Sequence, residues 1–312
     1  MASVSVGGRT WVGAILAARF SLIVAILLRP TEARAFVREM TSWTDGKPVS
    51  WPSGCVLMAV DDPKSDLVSW DQLTDAARAA GETWTQAGSS CGEFRFAVEK
   101  AGGALQARGD GVNAIIFRTA GYCRSGDKLI CDPLSMAITW LYYGDDGRLF
   151  EADIEINGEA YVWNDGADGT AMFDIQAGVT HEMGHVLGLD HNCYEGMGLP
   201  RPVDDQGVPA VICEPVSPEV RASIMYPTDS PSGGRRALAA DDVRGICALY
   251  PSGLDPTCRG GLNPDGGCCA VAPRNDSRTP AAGCLFALLF LIASMRRRSR
   301  GPTLTSRARR DR

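Results

Sequence analysis

The segment His181-Glu182-Met183-Gly184-His185-Val186-Leu187-Gly188-Leu189-Asp190-His191 decides the reading of this chain. A helix advances about 100° per residue, so His181 and His185, four positions apart, present their imidazoles on one face with Glu182 beside them. A third imidazole reaches the same point only if the backbone leaves the helix abruptly. Gly188 supplies that exit, because glycine takes the left-handed conformation without a Cβ penalty. Three neutral imidazoles leave one coordination position open, as a catalytic zinc requires, whereas a structural zinc is closed by four protein ligands. His181, His185 and His191 are therefore the candidate ligands of one Zn2+, and they are the only histidines in the chain. Zinc brings the pKa of coordinated water toward 7, and Glu182 is the candidate general base that takes its proton.

Working outward, Ser69 and Gln72 form a capping-box pattern. Leu73, Ala76, Ala77, Ala80 and Trp84 then recur at helical spacing, which predicts a helix over 69–86. Strand patterns follow at Phe94 to Val98, Val112 to Arg118, Met136 to Tyr143 and Ala152 to Ile156. In the last of these, Ala152, Ile154 and Ile156 face one way and Asp153 and Glu155 the other. Gly144-Asp145-Asp146-Gly147 reads as a turn. The motif helix should run from Asp174 or Ile175 to Leu187, and a final helix from Ala239 to Tyr250, stopped by Pro251. Several strands between helices predict an α+β unit with a twisted mixed sheet, an active-site helix and a C-terminal helix over 36–252.

The formal charge of the 312 residues is -6, yet the Arg-rich ends hide a more acidic middle: without 1–35 and 296–312 the net charge is -16. Such a balance argues against a nucleic-acid partner, which requires basic patches. Eleven cysteines contain no CxxC pair, so disulfides formed in an oxidising compartment are the expected use. Eight of them, Cys55 to Cys258, precede the tail and can pair completely. Spacing leaves the connectivity open; nearness along the chain alone favours Cys123 with Cys131 and Cys193 with Cys213.

The apolar run Trp11 to Leu28, followed by Ala33-Arg34-Ala35, reads as a signal peptide over 1–35. A Gly/Pro/Cys-rich linker is expected over 253–280. An apolar stretch, Ala281 to Met295, and the Arg cluster after it form a candidate anchor over 281–312. Linker, short apolar run and Arg cluster resemble the C-terminal sorting signals of myxobacterial surface proteins. An extracellular location, secreted or anchored at the cell surface, is the expectation.

The full HExxHxxGxxH pattern resembles the metzincin zinc metalloproteases, and within them the matrixins. Ser223-Ile224-Met225-Tyr226-Pro227 looks like the Met-containing turn of that family, and Leu238 to Ile246 like its final helix. The strand Glu151-Ala152-Asp153-Ile154 is similar to one in the matrixin sheet. The resemblance implies a zincin-like fold, a secreted zinc endopeptidase acting on protein or peptide substrates, and Met225 as an apolar floor beneath the ligands. It also implies a substrate extended along an edge strand. Animal matrixins hold a second zinc with further histidines, for which this chain has none, so one zinc is expected. Acidic turns such as Asp145-Asp146-Gly147 and Asp165-Gly166-Ala167-Asp168 offer oxygen ligands to Ca2+. Two rival readings keep the same segment: a zinc amidase acting on cell-wall peptide, and an inactive surface-binding module.

Overall fold

A computed structural model describes residues 36–42, 45–102, 104–107, 109–165, 172–196, 200–228, 234–259 and 305–310, the last six by their backbone. They belong to one compact unit within Ala35–Arg312. The expected signal peptide and the apolar stretch 281–295 both lie outside the described residues.

The elements follow in the order β1 (Val37–Arg38), β2 (Ser53–Val60), α1 (Trp70–Gly88), β3 (Arg95–Lys100), β4 (Ala114–Arg118), β5 (Arg124–Ser125), β6 (Lys128–Leu129), β7 (Ala137–Tyr143) and β8 (Leu149–Asn157). Then come β9 (Trp163–Asn164), β10 (Phe173–Asp174), α2 (Ile175–Val186), β11 (Leu189–Asp190), α3 (Pro218–Arg221), α4 (Ala240–Leu249), β12 (Asp255–Arg259) and β13 (Thr305–Arg310). The class is α+β, built on a seven-stranded mixed sheet. Its path is β12-β2-β4-β8-β7-β13, with β3 also on β2. Strands β2, β3, β4, β8 and β12 pair in parallel, whereas β7 runs antiparallel to both β8 and β13.

The capping box at Ser69 forms as the pattern predicts: its hydroxyl accepts from Gln72 N at 3.2 Å and its own N–H donates to the Gln72 side chain at 2.9 Å. Helix α1 then buries Leu73, Ala77, Ala80 and Trp84 against the sheet and α2. Strand β2 is almost entirely buried, as a strand with parallel neighbours on both edges must be. Two of the first residues assigned to the linker, Asp255 and Cys258, pair with Ser53 and Cys55 of β2, so the folded unit extends into that segment.

Four disulfides join Cys55 to Cys258, Cys91 to Cys247, Cys123 to Cys131 and Cys193 to Cys213. All eight cysteines before the tail pair, and the two bridges favoured by nearness are among them. No helix of the described residues is long and apolar enough to cross a membrane. Disulfides of this number belong to an oxidising compartment.

The acidic face of β8 is not solvated. Glu151 and Asp153 are fully buried side by side, accepting from Gly111 N and from Ala114 N, the latter at 2.8 Å. Burial, reinforced by Asp110, raises the Glu151 carboxyl from its ordinary 4.5 to about 7, and burial raises Asp153 as well. The folded state therefore binds protons that the unfolded chain has released. The resulting stability is fully present below pH 4.5 and is lost as pH rises through 7. Chemical denaturation between pH 5 and pH 7.5 should show stability falling by on the order of 1–3 kcal/mol. Glu151→Gln, which keeps a neutral acceptor for Gly111 N, should flatten that slope; an unchanged slope would place the titration elsewhere.

Candidate metal centre

Helix α2 is held chiefly at its carbonyls. Its N-cap, Asp174, accepts from Ala177 N and pairs with Arg236 at 2.7 Å. Three buried donors reach carbonyls in or just after the helix: the Trp84 indole to Thr180 O, the Trp51 indole to Val186 O and the Tyr250 hydroxyl to Leu187 O, at 2.8, 2.8 and 2.6 Å. The last two satisfy carbonyls that a helix end otherwise leaves without partners, and the first adds a second donor to a carbonyl within the helix. Gly188 follows with φ +89°, and a Cβ there would run into Val49 O. The chain turns, β11 pairs antiparallel with β1, and His191 comes back over the helix.

The result brings the three predicted histidines together. One ring nitrogen from each lies within 4.8 Å of the others, the only such group of metal-ligating side chains among the described residues. Ring centroids are separated by 4.9 Å (His181 to His185), 5.4 Å (His181 to His191) and 5.0 Å (His185 to His191). His181 Nδ1 lies 2.5 Å from Ile224 O and His185 Nδ1 2.8 Å from Leu189 O. A carbonyl only accepts, so both rings carry their proton on Nδ1, and Nε2 keeps the lone pair a cation needs. His191 Nδ1 faces the Glu195 carboxylate at 3.2 Å, which imposes the same tautomer. This donor set fits a divalent cation such as zinc. The Asp145-Asp146-Gly147 turn shows no grouping of metal-ligating side chains, and Asp165-Gly166-Ala167-Asp168 lies partly outside the described residues.

Glu182 is 1% exposed, and its carboxylate accepts from the Thr139 hydroxyl of β7 at 2.5 Å. Hydrogen bonding of this kind fixes the rotamer of the carboxylate. Below the helix, Gly184 lies against Met225 so closely that a Cβ would overlap the sulfur. Met225 itself is held by Asp242, the third residue of α4. The Asp242 carboxylate accepts from Ser223 Oγ (2.6 Å), Ile224 N (2.9 Å), Met225 N (3.4 Å) and Ala239 N (2.7 Å). One buried side chain thus binds the Met turn to the start of the last helix, and the same turn supplies the carbonyl that orients His181.

Sequence reasoning singled out the three histidines that come together here, and Glu182 beside them, but not Thr139, Glu195 or Asp242. Asp241-Asp242 at a helix start reads only as an ordinary complement to the helix dipole. Which of the two points inward is decided by packing. A small cleft of about 40 Å³ opens beside His181 and Glu182, walled by Met136, Trp163, Gly178, Tyr226 and Arg235. No family model matches the chain, and no curated protein matches it.

Asp242→Ala leaves the N–H groups of Ile224, Met225 and Ala239 and the Ser223 hydroxyl without this acceptor. It should cost about 2–4 kcal/mol of stability and weaken metal affinity through the loosened His181. Urea unfolding of the metal-free protein, with metal titration at a temperature where the variant stays folded, measures both. Unchanged metal affinity would disconnect the Met turn from the centre.

Proposed function

We propose that the three-imidazole centre holds one zinc ion and that the protein is a zinc hydrolase. The particular reading is an exported endopeptidase of the metzincin type, closest to the matrixins in its motif, Met turn and last helix. The observation that carries it is the set of Nδ1 hydrogen bonds. They direct three Nε2 lone pairs to one point beside a buried carboxylate that a second side chain orients.

When bound there, zinc supplies Lewis acidity that makes water acidic near neutral pH and polarises a peptide carbonyl. Glu182 takes the proton of the attacking water and returns it to the leaving amine. Thr139 holds the Glu182 carboxylate in place for both transfers. Ile224 O, Leu189 O and Glu195 keep the rings in the ligating tautomer, and Met225 supports α2 from below.

An extended peptide adding to the sheet would gain main-chain hydrogen bonds along β7. The outer edge of β7 already carries β13, with Arg309 opposite Thr139, so substrate and the C-terminal strand compete for one edge. Deleting 305–312 should lower KM several-fold with little change in kcat; an unchanged KM would mean that peptides bind elsewhere.

Elemental mass spectrometry of the purified chain should give one zinc, and chelation should abolish peptide cleavage. Glu182→Gln should retain the zinc and lose roughly 10²- to 10⁴-fold in kcat. A zinc-free wild type, or a Glu182→Gln protein cleaving at the wild-type rate, would overturn the reading.

A further inference from the structure

Away from His181 and Glu182, the cleft is lined mostly by apolar side chains, with one cation among them. Arg235 stands at its wall together with His181 and Glu182. The guanidinium is fixed by Nη2, which donates to Tyr226 O at 3.2 Å and Thr228 O at 2.6 Å, and by the Tyr226 ring, 5.6 Å from its carbon. Its Nε is buried with no hydrogen-bond partner. The neighbouring cations are treated differently: Arg236 pairs with Asp174, and Arg221 pairs with Glu214 at 2.7 Å. No carboxylate of the described residues pairs with Arg235.

We infer that Arg235 is a specificity-determining residue that receives an acidic side chain, Asp or Glu, from the substrate residue flanking the cleaved bond. The inference rests on the peptidase reading and deepens it. A cation held rigidly against an apolar wall has lost part of its hydration without gaining a counter-ion. A carboxylate entering the cleft restores the missing partner through charge-assisted hydrogen bonds, for which the planar guanidinium is suited. Because the cleft shares His181 and Glu182 with the centre, the side chain that fills it belongs to a residue adjacent to the scissile bond. Neutral amides of the same shape, Asn and Gln, leave the charge uncompensated and are discriminated against.

Two measurements on the full chain test this. In the first, a mixed peptide library is digested with and without chelator and the cleavage sites are read by mass spectrometry. Asp and Glu beside the cut should be enriched about 10- to 100-fold over Asn and Gln, the range a charged hydrogen bond gives. Arg235→Gln should abolish the enrichment and Arg235→Lys should keep part of it. In the second, acetyl-Ala-Asp-Ala-amide and acetyl-Ala-Asn-Ala-amide are titrated calorimetrically into the Glu182→Gln chain, with and without Arg235→Gln. Tighter binding of the Asp peptide, lost with Arg235, supports the inference even if no library peptide is cut, an outcome that would sink the peptidase reading alone. Chelator-sensitive cleavage without acidic enrichment, or equal affinity for the two peptides, overturns the inference and leaves the peptidase reading standing.

Discussion

Three imidazoles meet at one point here because α2 ends where it does. Had the helix continued past Leu187, His191 would have pointed away along the helix. The ending is enforced from three sides: the carbonyls of the last turn are taken by Trp51 and Tyr250, the backbone at Gly188 has space for no side chain, and β11 is clipped to β1. These partners come from positions before residue 55 and after residue 245, so the chain must have closed on itself before the centre can exist.

The interior carries an unusual share of its order in buried acids. Asp242 spends its carboxylate on four donors and thereby joins the Met turn, the last helix and, through Ile224 O, the ring of His181. Glu151 and Asp153 do a different task on the far side of the sheet, where they accept from the loop entering β4. Glu182 is the third kind, a buried carboxylate beside the histidines that accepts from Thr139. The same residue type serves as strut, as proton-holding pair and, in the proposed chemistry, as base, and the difference lies in the donors each one meets.

Much of this was legible in the residues. The histidine spacing located the centre, the Ser69 box and the apolar rhythm after it gave α1, and glycine and proline marked where α2 and the last helix stop. Strand β2 was not among the expected strands. Its run Cys55-Val56-Leu57-Met58-Ala59-Val60 has no alternation, because one face packs with α1 in the main core and the other against Ala101, Leu105 and Val112. Alternation in β8 was read correctly, but it does not reveal that the acidic side is buried as deeply as the apolar one. Thr139, Glu195, Asp242 and Arg235 escaped for a common reason. Each acts on the centre or its cleft through a contact set by tertiary packing, and no local pattern encodes which polar side chain of a strand or loop turns inward.

The bridge between Cys55 and Cys258 makes a covalent ring of everything between them. A pull applied between the start of the folded unit and the chain beyond Arg259 travels from residue 36 to Cys55, crosses the sulfurs and leaves through Cys258. The helix with its histidines, the Met turn, the last helix and the cleft all sit inside the ring and carry none of the covalent tension. Along that covalent path, load and the histidine cluster with its cleft are wired separately.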